Sequence, residues 1–434
     1  MVRRVVITGI GLISPLGNSK EALWDALASG KSGVGVLDSP LVQTLPAKFA
    51  AEARFTGDID EFGPLDKEQK KAIRKGLKLM CRESQMGVAA AQLALGDAKL
   101  AVGSVDPERI GCVFGTDYML TLPEDFSAAI NRCRSEQGQF DYSLWGKEGM
   151  AEITPLWLLK YLPNMPASHV AIYNDLRGPN NSITHREAAA NLAIAEAYHT
   201  ITRGSADIMA AGATGTRVHP MKSVHAAQQE ELAANGVAPE KASRPFDLNR
   251  SGMVLGEGAG LIVLEELSSA QARGATIYGE IVGTGSSQAT DKNFVARRDV
   301  ALANVMRRSL AEADAKPADI GHIHAHGLST HSSDADEAHA IREVFGDLAD
   351  RIPVTAAKSY FGNLGAGSGI VELIASLMAL VNNRLPPILN YETPDPECPI
   401  TAADATHADP GRSFINLSVT PQGQASAIMV RRFE

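Results

Sequence analysis

Residues 243–266, SRPFDLNRSGMVLGEGAGLIVLEE, change character half-way along. A polar, turn-rich first part gives way to Gly256-Glu-Gly-Ala-Gly260, which leads straight into the apolar run 261–264. Glycines that introduce a strand do not make a phosphate loop, because that loop needs a helix N-terminus behind it. The segment reads as a buried strand. Downstream, 277–282 reads as another strand, 298–314 as a helix, 320–324 and 354–357 as strands, 368–382 as a helix and 426–430 as a strand. Upstream, RVVIT (4–8) is a short β-branched strand closed by Gly9, and 19–30 is a helix with Leu23, Trp24 and Leu27 on one face. Residues 66–98 are strongly helical, with a break expected near Gly76 or Arg82. Residues 110–114 form a strand, 120–165 an excursion from the core, 185–203 an Ala-rich helix and 207–212 the next strand. Strands alternating with helices in both halves predict a layered α/β fold. The similar order of the halves suggests a duplication.

Composition narrows the class. At 434 residues, the chain is long enough for two domains or one large duplicated one. Hydrophobic residues make up 44% and charged residues 21%, as in a globular protein without extended disorder. With 41 basic and 50 acidic residues the net charge is −9, which disfavours a general nucleic-acid binder. Cys81, Cys112, Cys133 and Cys398 stand far apart, with no metal-type spacing, and read as free thiols of a cytoplasmic protein. The N-terminus MVRRVVITGIG enters a strand directly, and no membrane span is expected.

Three motifs bear on chemistry. Gly9-Ile-Gly11 follows the first strand, but Pro15 and the missing third glycine make it a tight structural turn and not a dinucleotide loop. His322, His324 and His326 alternate, so a strand would put all three on one face. With Asp334, Asp336 and Glu337 nearby, they raise the alternative of a metal-dependent hydrolase. The loops His326-Gly-Leu-Ser-Thr330 and Lys358-Ser-Tyr-Phe-Gly-Asn363 each follow a short apolar strand, where open α/β sheets place their chemistry. His, Lys and Asn brought together there can bind and polarise a carbonyl.

Taken together, these segments resemble the β-ketoacyl-acyl-carrier-protein synthases, in the elongating type II and chain-length-factor branch of the thiolase-like superfamily. The resemblance covers nearly the whole chain: RVVITGIGLISPLG (4–17), LRGPN (176–180), GSADIMAAG (204–212), the 243–266 stretch, RGATIYGEIVG (273–283), HAHGLSTHSSDADEAHA (324–340) and KSYFGNLGAGSG (358–369). It implies a thiolase-like five-layer αβαβα fold of two duplicated halves, here divided as 1–252 and 253–434, usually paired as a dimer. It implies acyl carrier protein and acyl or malonyl thioesters as partners, with no cofactor and no bound metal. In the family a Cys thiolate takes the acyl chain, and two histidines stabilise the oxyanion formed as malonyl loses CO₂.

The chain departs from this pattern at the decisive positions. Where the family reads GPxxxxxxAC, this sequence reads GPNNSITHREA, with Glu187 in place of the nucleophile. The first histidine is present as His326, with Asp334 and Glu337 in register as supporting residues, and Lys358 is retained. The second histidine position is Asn363, and the C-terminal GFGGTN loop reads TPQGQA (420–425). A carboxylate is a poor acyl acceptor, so condensation through cysteine is expected to be lost. Four readings stay open: a non-condensing subunit resembling chain-length factors, a malonyl-thioester decarboxylase, another acyl reaction using Glu187, His326 and Asn363, or a vestigial site plugged by Glu187. Lys67, Lys70, Lys71 and Arg74 crowd one helical stretch, and the resemblance makes them the carrier-protein docking residues.

Overall fold

The computed structural model describes residues 3–37, 48–404 and 406–434. Its strands are β1 (Val5–Ile13), β2 (Gly35–Val36), β3 (Phe49–Ala51), β4 (Ile110–Thr116), β5 (Asn180–Thr184), β6 (Ile208–Thr216), β7 (Leu255–Glu266), β8 (Gly279–Gln288), β9 (His322–His324), β10 (Pro353–Thr355), β11 (Thr401–Ala402), β12 (Ser413–Val419) and β13 (Gln424–Arg431). The main path runs β11-β10-β9-β12-β13-β8-β1-β7-β6-β4-β5.

That order contains one motif twice. In β5-β4-β6-β7-β1 successive pairs are parallel, parallel, antiparallel and antiparallel. In β10-β9-β12-β13-β8 the pairs follow the same sequence of senses. The two motifs meet where β1 and β8 pair antiparallel over Val5–Ile7. Strand β7 pairs with β1 and β6 of the first motif. By strand pairing the halves therefore divide between Glu266 and Gly279, later than the 252/253 division expected from the sequence.

Helices complete five layers. Arg82–Asp97 packs outside the first motif against β1 and β7, and Arg298–Glu312 outside the second against β8 and β13. Between the motifs lie Ala189–Thr202 and Ser368–Asn382, each touching strands of both halves. Alanines at 189, 190, 193 and 197 are fully buried and let the first of these pack closely between the two motifs. The segment Gly365–Asn382 is long and apolar enough to cross a membrane, yet it is 89% buried in the fold, as a core helix is.

Some sequence readings are revised. The break near Gly76 is real: the helix Lys67–Gly76 ends in a short 3-10 turn, and Arg82 starts the next helix. Strand β1 does not stop at Gly9 but runs through it to Ile13, with a register shift beside Thr8. The glycines are there for close approach. A Cβ on Gly9 would lie 2.5 Å from the Ala94 carbonyl oxygen, and one on Gly11 2.1 Å from that of Ala90. The 120–165 excursion holds the short helices Glu124–Arg132 and Tyr142–Trp145.

Candidate functional site

The first motif brings Asp117, Glu187 and Arg217 together just past the C-terminal ends of β4, β5 and β6. Glu187 lies in the turn Arg186–Ala188 that opens the central Ala189–Thr202 helix and is 2% exposed. Its Oε1 accepts from Arg217 Nη2 at 2.5 Å and from Asn363 Nδ2 at 3.2 Å. Arg217, fully buried, also pairs through Nη1 with Asp117 Oδ2 at 2.7 Å. Burial alone would push the Glu187 carboxyl up, but the Arg217 and Arg186 charges outweigh it and hold Glu187 far below the carboxylate range. The arrangement favours the ionised form of Glu187.

The second motif supplies the facing side. Lys358 Nζ is buried and meets the His326 carbonyl oxygen at 2.7 Å, His326 Nδ1 at 3.2 Å and the carboxylate of Glu372. Its three protons are thereby all committed, and Nδ1 of His326 is an acceptor, which puts the imidazole proton on Nε2. Burial first, and the Lys358 charge second, keep His326 neutral, well below its ordinary pKa. The Glu187 charge acts on the same ring in the opposite sense. Glu337 holds the loop by accepting from the backbone N–H of His326 (2.7 Å) and Gly327 (2.8 Å). Asp334 accepts from Leu328, Ser329 and Phe246. Burial pushes these two carboxyls up, Glu337 to about 7 and Asp334 to about 6.

Asn363 is fully committed. Its Nδ2 faces Glu187 and Met253 Sδ, and its Oδ1 accepts from Gly365 N–H at 3.0 Å and Ser368 Oγ at 3.1 Å. It has no donor left for a substrate oxyanion while Glu187 stays in place. Of the residues expected from sequence, Glu187 touches Asn363 directly, Lys358 touches His326, and Asp334 and Glu337 brace the His326 loop. Arg217, Asp117 and Glu372 were not anticipated. Each left a trace: Asp117 and Arg217 are the first charged residues after apolar strands, and Glu372 is the lone carboxylate in SGIVELIASLMALVN (368–382).

The histidine alternation has another explanation. His324 Nε2 accepts from the Ala357 N–H at 3.2 Å, so its Nδ1 donates to Ser376 Oγ at 2.7 Å. Ser376 then donates to His322 Nε2 at 2.9 Å, and His322 Nδ1 donates to the Pro410 carbonyl at 2.8 Å. All four ring nitrogens belong to one internal chain, so these imidazoles have no lone pair for a metal. The metal-hydrolase alternative is set aside on this geometry. Among the described residues no group of three or more His, Cys, Asp or Glu is arranged to hold a metal ion.

That chain has a pH consequence. Burial depresses His322 to about 4, against 6.5 for the unfolded state. The unfolded state then binds more protons between these values, so this contribution is complete above pH 6.5 and is lost as pH falls toward 4. The stability advantage of the protein over His322→Gln should shrink by about 3 kcal/mol between pH 7 and pH 4 in urea unfolding. A constant difference would contradict the tautomers assigned here.

On the surface, Lys67, Lys71 and Arg74 of the Lys67–Gly76 helix are exposed, whereas Lys70 pairs with Asp60 at 3.0 Å.

A duplicated five-stranded motif, with a central helix whose first turn faces a His–Lys–Asn constellation, defines a thiolase-like fold. The chain belongs to the β-ketoacyl synthase family. The model for the β-ketoacyl synthase N-terminal domain matches residues 2–270, and that for the C-terminal domain residues 278–392. The 3-oxoacyl-[acyl-carrier-protein] synthase 2 of Coxiella burnetii is 35% identical over 401 residues, covering 91% of this chain and 90% of the relative. That of Synechocystis sp. is 33% identical over 399 residues, with the same coverage. Among solved structures, a β-ketoacyl synthase from Burkholderia phymatum superposes with a TM-score of 0.85 at 27% identity, each chain covered completely. The ishigamide ketosynthase/chain length factor gives 0.81 at 25%, also with complete coverage. A type II polyketide acyl carrier protein in complex with its hexaketide-bound ketosynthase gives 0.83 at 25%, again complete.

Proposed function

We propose that this chain is a non-condensing β-ketoacyl synthase-like subunit, akin to a chain length factor, that meets acyl carrier protein in cytoplasmic fatty-acid or polyketide-type synthesis. One observation carries the reading. The nucleophile position holds an ionised glutamate locked to Arg217 and Asn363. An ionised carboxylate bound to a buried guanidinium is neither an acyl acceptor nor, at its depressed pKa, an effective base near neutral pH. Decarboxylation of a malonyl thioester fares no better. The Glu187 anion repels the malonate carboxylate, and the Asn363 donor is already used. Incubation with acyl-carrier protein followed by intact-mass spectrometry should show no adduct. A stable acyl group on any pocket residue would overturn the reading.

The intact scaffold around the altered residue supports a retained subunit. Lys358, His326, Asp334 and Glu337 remain in a complete hydrogen-bonded arrangement. Strand β5 is an edge strand whose polar residues Asn180, Asn181 and Thr184 are exposed. Natural proteins seldom leave such an edge unpaired, and pairing with a second synthase-like subunit, identical or different, satisfies it. Carrier docking is assigned to the exposed cations of the Lys67–Gly76 helix. Reversing Lys67 and Lys71 to Glu should weaken carrier binding at low salt more than about tenfold, or 1.4 kcal/mol. The effect should fade as ionic strength rises. Unchanged affinity in the folded double variant would mean that the carrier docks elsewhere.

A further inference from the structure

We propose that this subunit, if it docks a carrier as inferred above, recognises the carrier's free pantetheine thiol and excludes the acylated arm. The first ground is a pair of unsatisfied atoms at the site. Glu187 Oε2 is buried and has no hydrogen-bond donor, and Arg186 Nε is buried and has no acceptor. They form an ion pair at 3.4 Å with no hydrogen bond between them, so the hydrogen-bonding capacity of each stays unused. Buried polar atoms without partners are rare, and a pair of opposite kind on one site fits a ligand group that both donates and accepts. A thiol does so weakly, and an amide does so well. Pantetheine carries both. Glu187 also keeps the thiol protonated, because a fixed anion opposes a thiolate beside it.

The second ground is what lies behind Glu187. An acyl chain attached to that thiol would have to continue past the carboxylate. There the space is taken by Arg217 and Asp117, 1% and 3% exposed. Tyr118 follows, with its hydroxyl 3.2 Å from His225 Nδ1 and the Lys222 ammonium 5.4 Å from its ring centre. Lys222 is itself buried and paired with Glu83 at 2.6 Å. A methylene chain passing this way must separate paired buried charges, a cost of several kcal/mol that opposes its entry.

The third ground is the doorway. Arg186, with a backbone φ of +51°, donates through Nη1 to Gln229 at 2.5 Å and Gln422 at 3.3 Å. Both glutamines are exposed, so the closure consists of side chains that water or an arm amide can replace. Arg186 therefore serves as a positioning and recognition residue at the entrance, facing outward to the two amides and inward to Glu187.

The test titrates the full chain, in whatever dimer it is purified, with three forms of one acyl carrier protein: apo without the arm, holo, and octanoyl. Calorimetry should show the holo form binding at least about tenfold tighter than apo, a difference of 1.4 kcal/mol. The octanoyl form should match apo, because its arm stays outside. Arg186→Gln should bring holo binding down to the apo level while leaving apo binding unchanged. This substitution lies at the doorway, so it tests the idea even if pocket variants fail to fold. Equal affinity for all three forms, still weakened by the Lys67 and Lys71 reversals, would overturn thiol recognition and leave carrier docking standing. Tighter binding of the octanoyl form would overturn it as well, by showing an open acyl path. No binding of any form would overturn both.

Discussion

Arg217→Met should be the most damaging single substitution in the pocket, costing about 3–5 kcal/mol of stability, the range seen when one member of a buried ion pair is removed. Among the described residues Arg217 is the one cation that meets Asp117 and Glu187 together, at 2.7 and 2.5 Å. Without it, two buried carboxylates share a space that water does not reach, and at least one must take up a proton. With the Arg217 charge gone, burial raises the Glu187 carboxyl relative to its present state and above its unfolded reference, so the loss is largest at neutral and higher pH and eases as pH falls toward about 4.5. The triple variant Asp117→Leu, Glu187→Leu, Arg217→Met should recover most of the loss, because replacing a buried charged set by apolar groups of similar volume is often neutral or stabilising. Thermal denaturation at pH 8 and pH 5 distinguishes the cases. A single variant as stable as the parent at pH 8 would show that the cluster is hydrated and the pocket open.

The parts of this molecule that were legible in its sequence are those fixed by local pattern. The apolar runs 261–264 and 208–212 read as buried strands, and the Ala-rich stretch after Arg186 as a closely packed helix. Glu187 was identifiable because its neighbours, Gly178-Pro179 before it and the alanines after it, keep their spacing. What escaped depends on contacts far apart along the chain. Nothing near Arg217 says that its partners lie 30 residues back at Glu187 and still further back at Asp117. Strand β5, NNSIT, was missed because an edge strand has no hydrophobic face to betray it. The alternation of His322, His324 and His326 put three rings on one face; His322 and His324 do share Ser376 of the central helix, whereas His326 lies beyond the strand and meets Lys358. Gly9 and Gly11 were taken for a turn because glycine marks both turns and close packing. Only the position of Ala90 and Ala94 decides between the two.

Glu187→Cys should regain acylation only for the shortest acyl groups. A cysteine there sits in the first turn of the Ala189–Thr202 helix beside Arg186 and Arg217, a setting that favours the thiolate. The substitution also frees Asn363 Nδ2, and the Nε2 proton of His326 adds a second donor for an oxyanion. The chemistry is then in place, and what is missing is room. An acetyl group ends where the carboxylate of Glu187 stood, whereas an octanoyl group must displace Arg217 from Asp117. If separating that pair costs about 3 kcal/mol or more, octanoyl transfer should be at least about a hundredfold slower than acetyl transfer. Intact-mass time courses with acetyl- and octanoyl-carrier protein measure the ratio. Adding Asp117→Ala and Arg217→Ala should narrow it, since the two changes remove the charges and the volume together. Equal rates for acetyl and octanoyl in the single variant would show that the acyl path was never closed, and the proposed loss of condensation would then rest on the missing thiol alone.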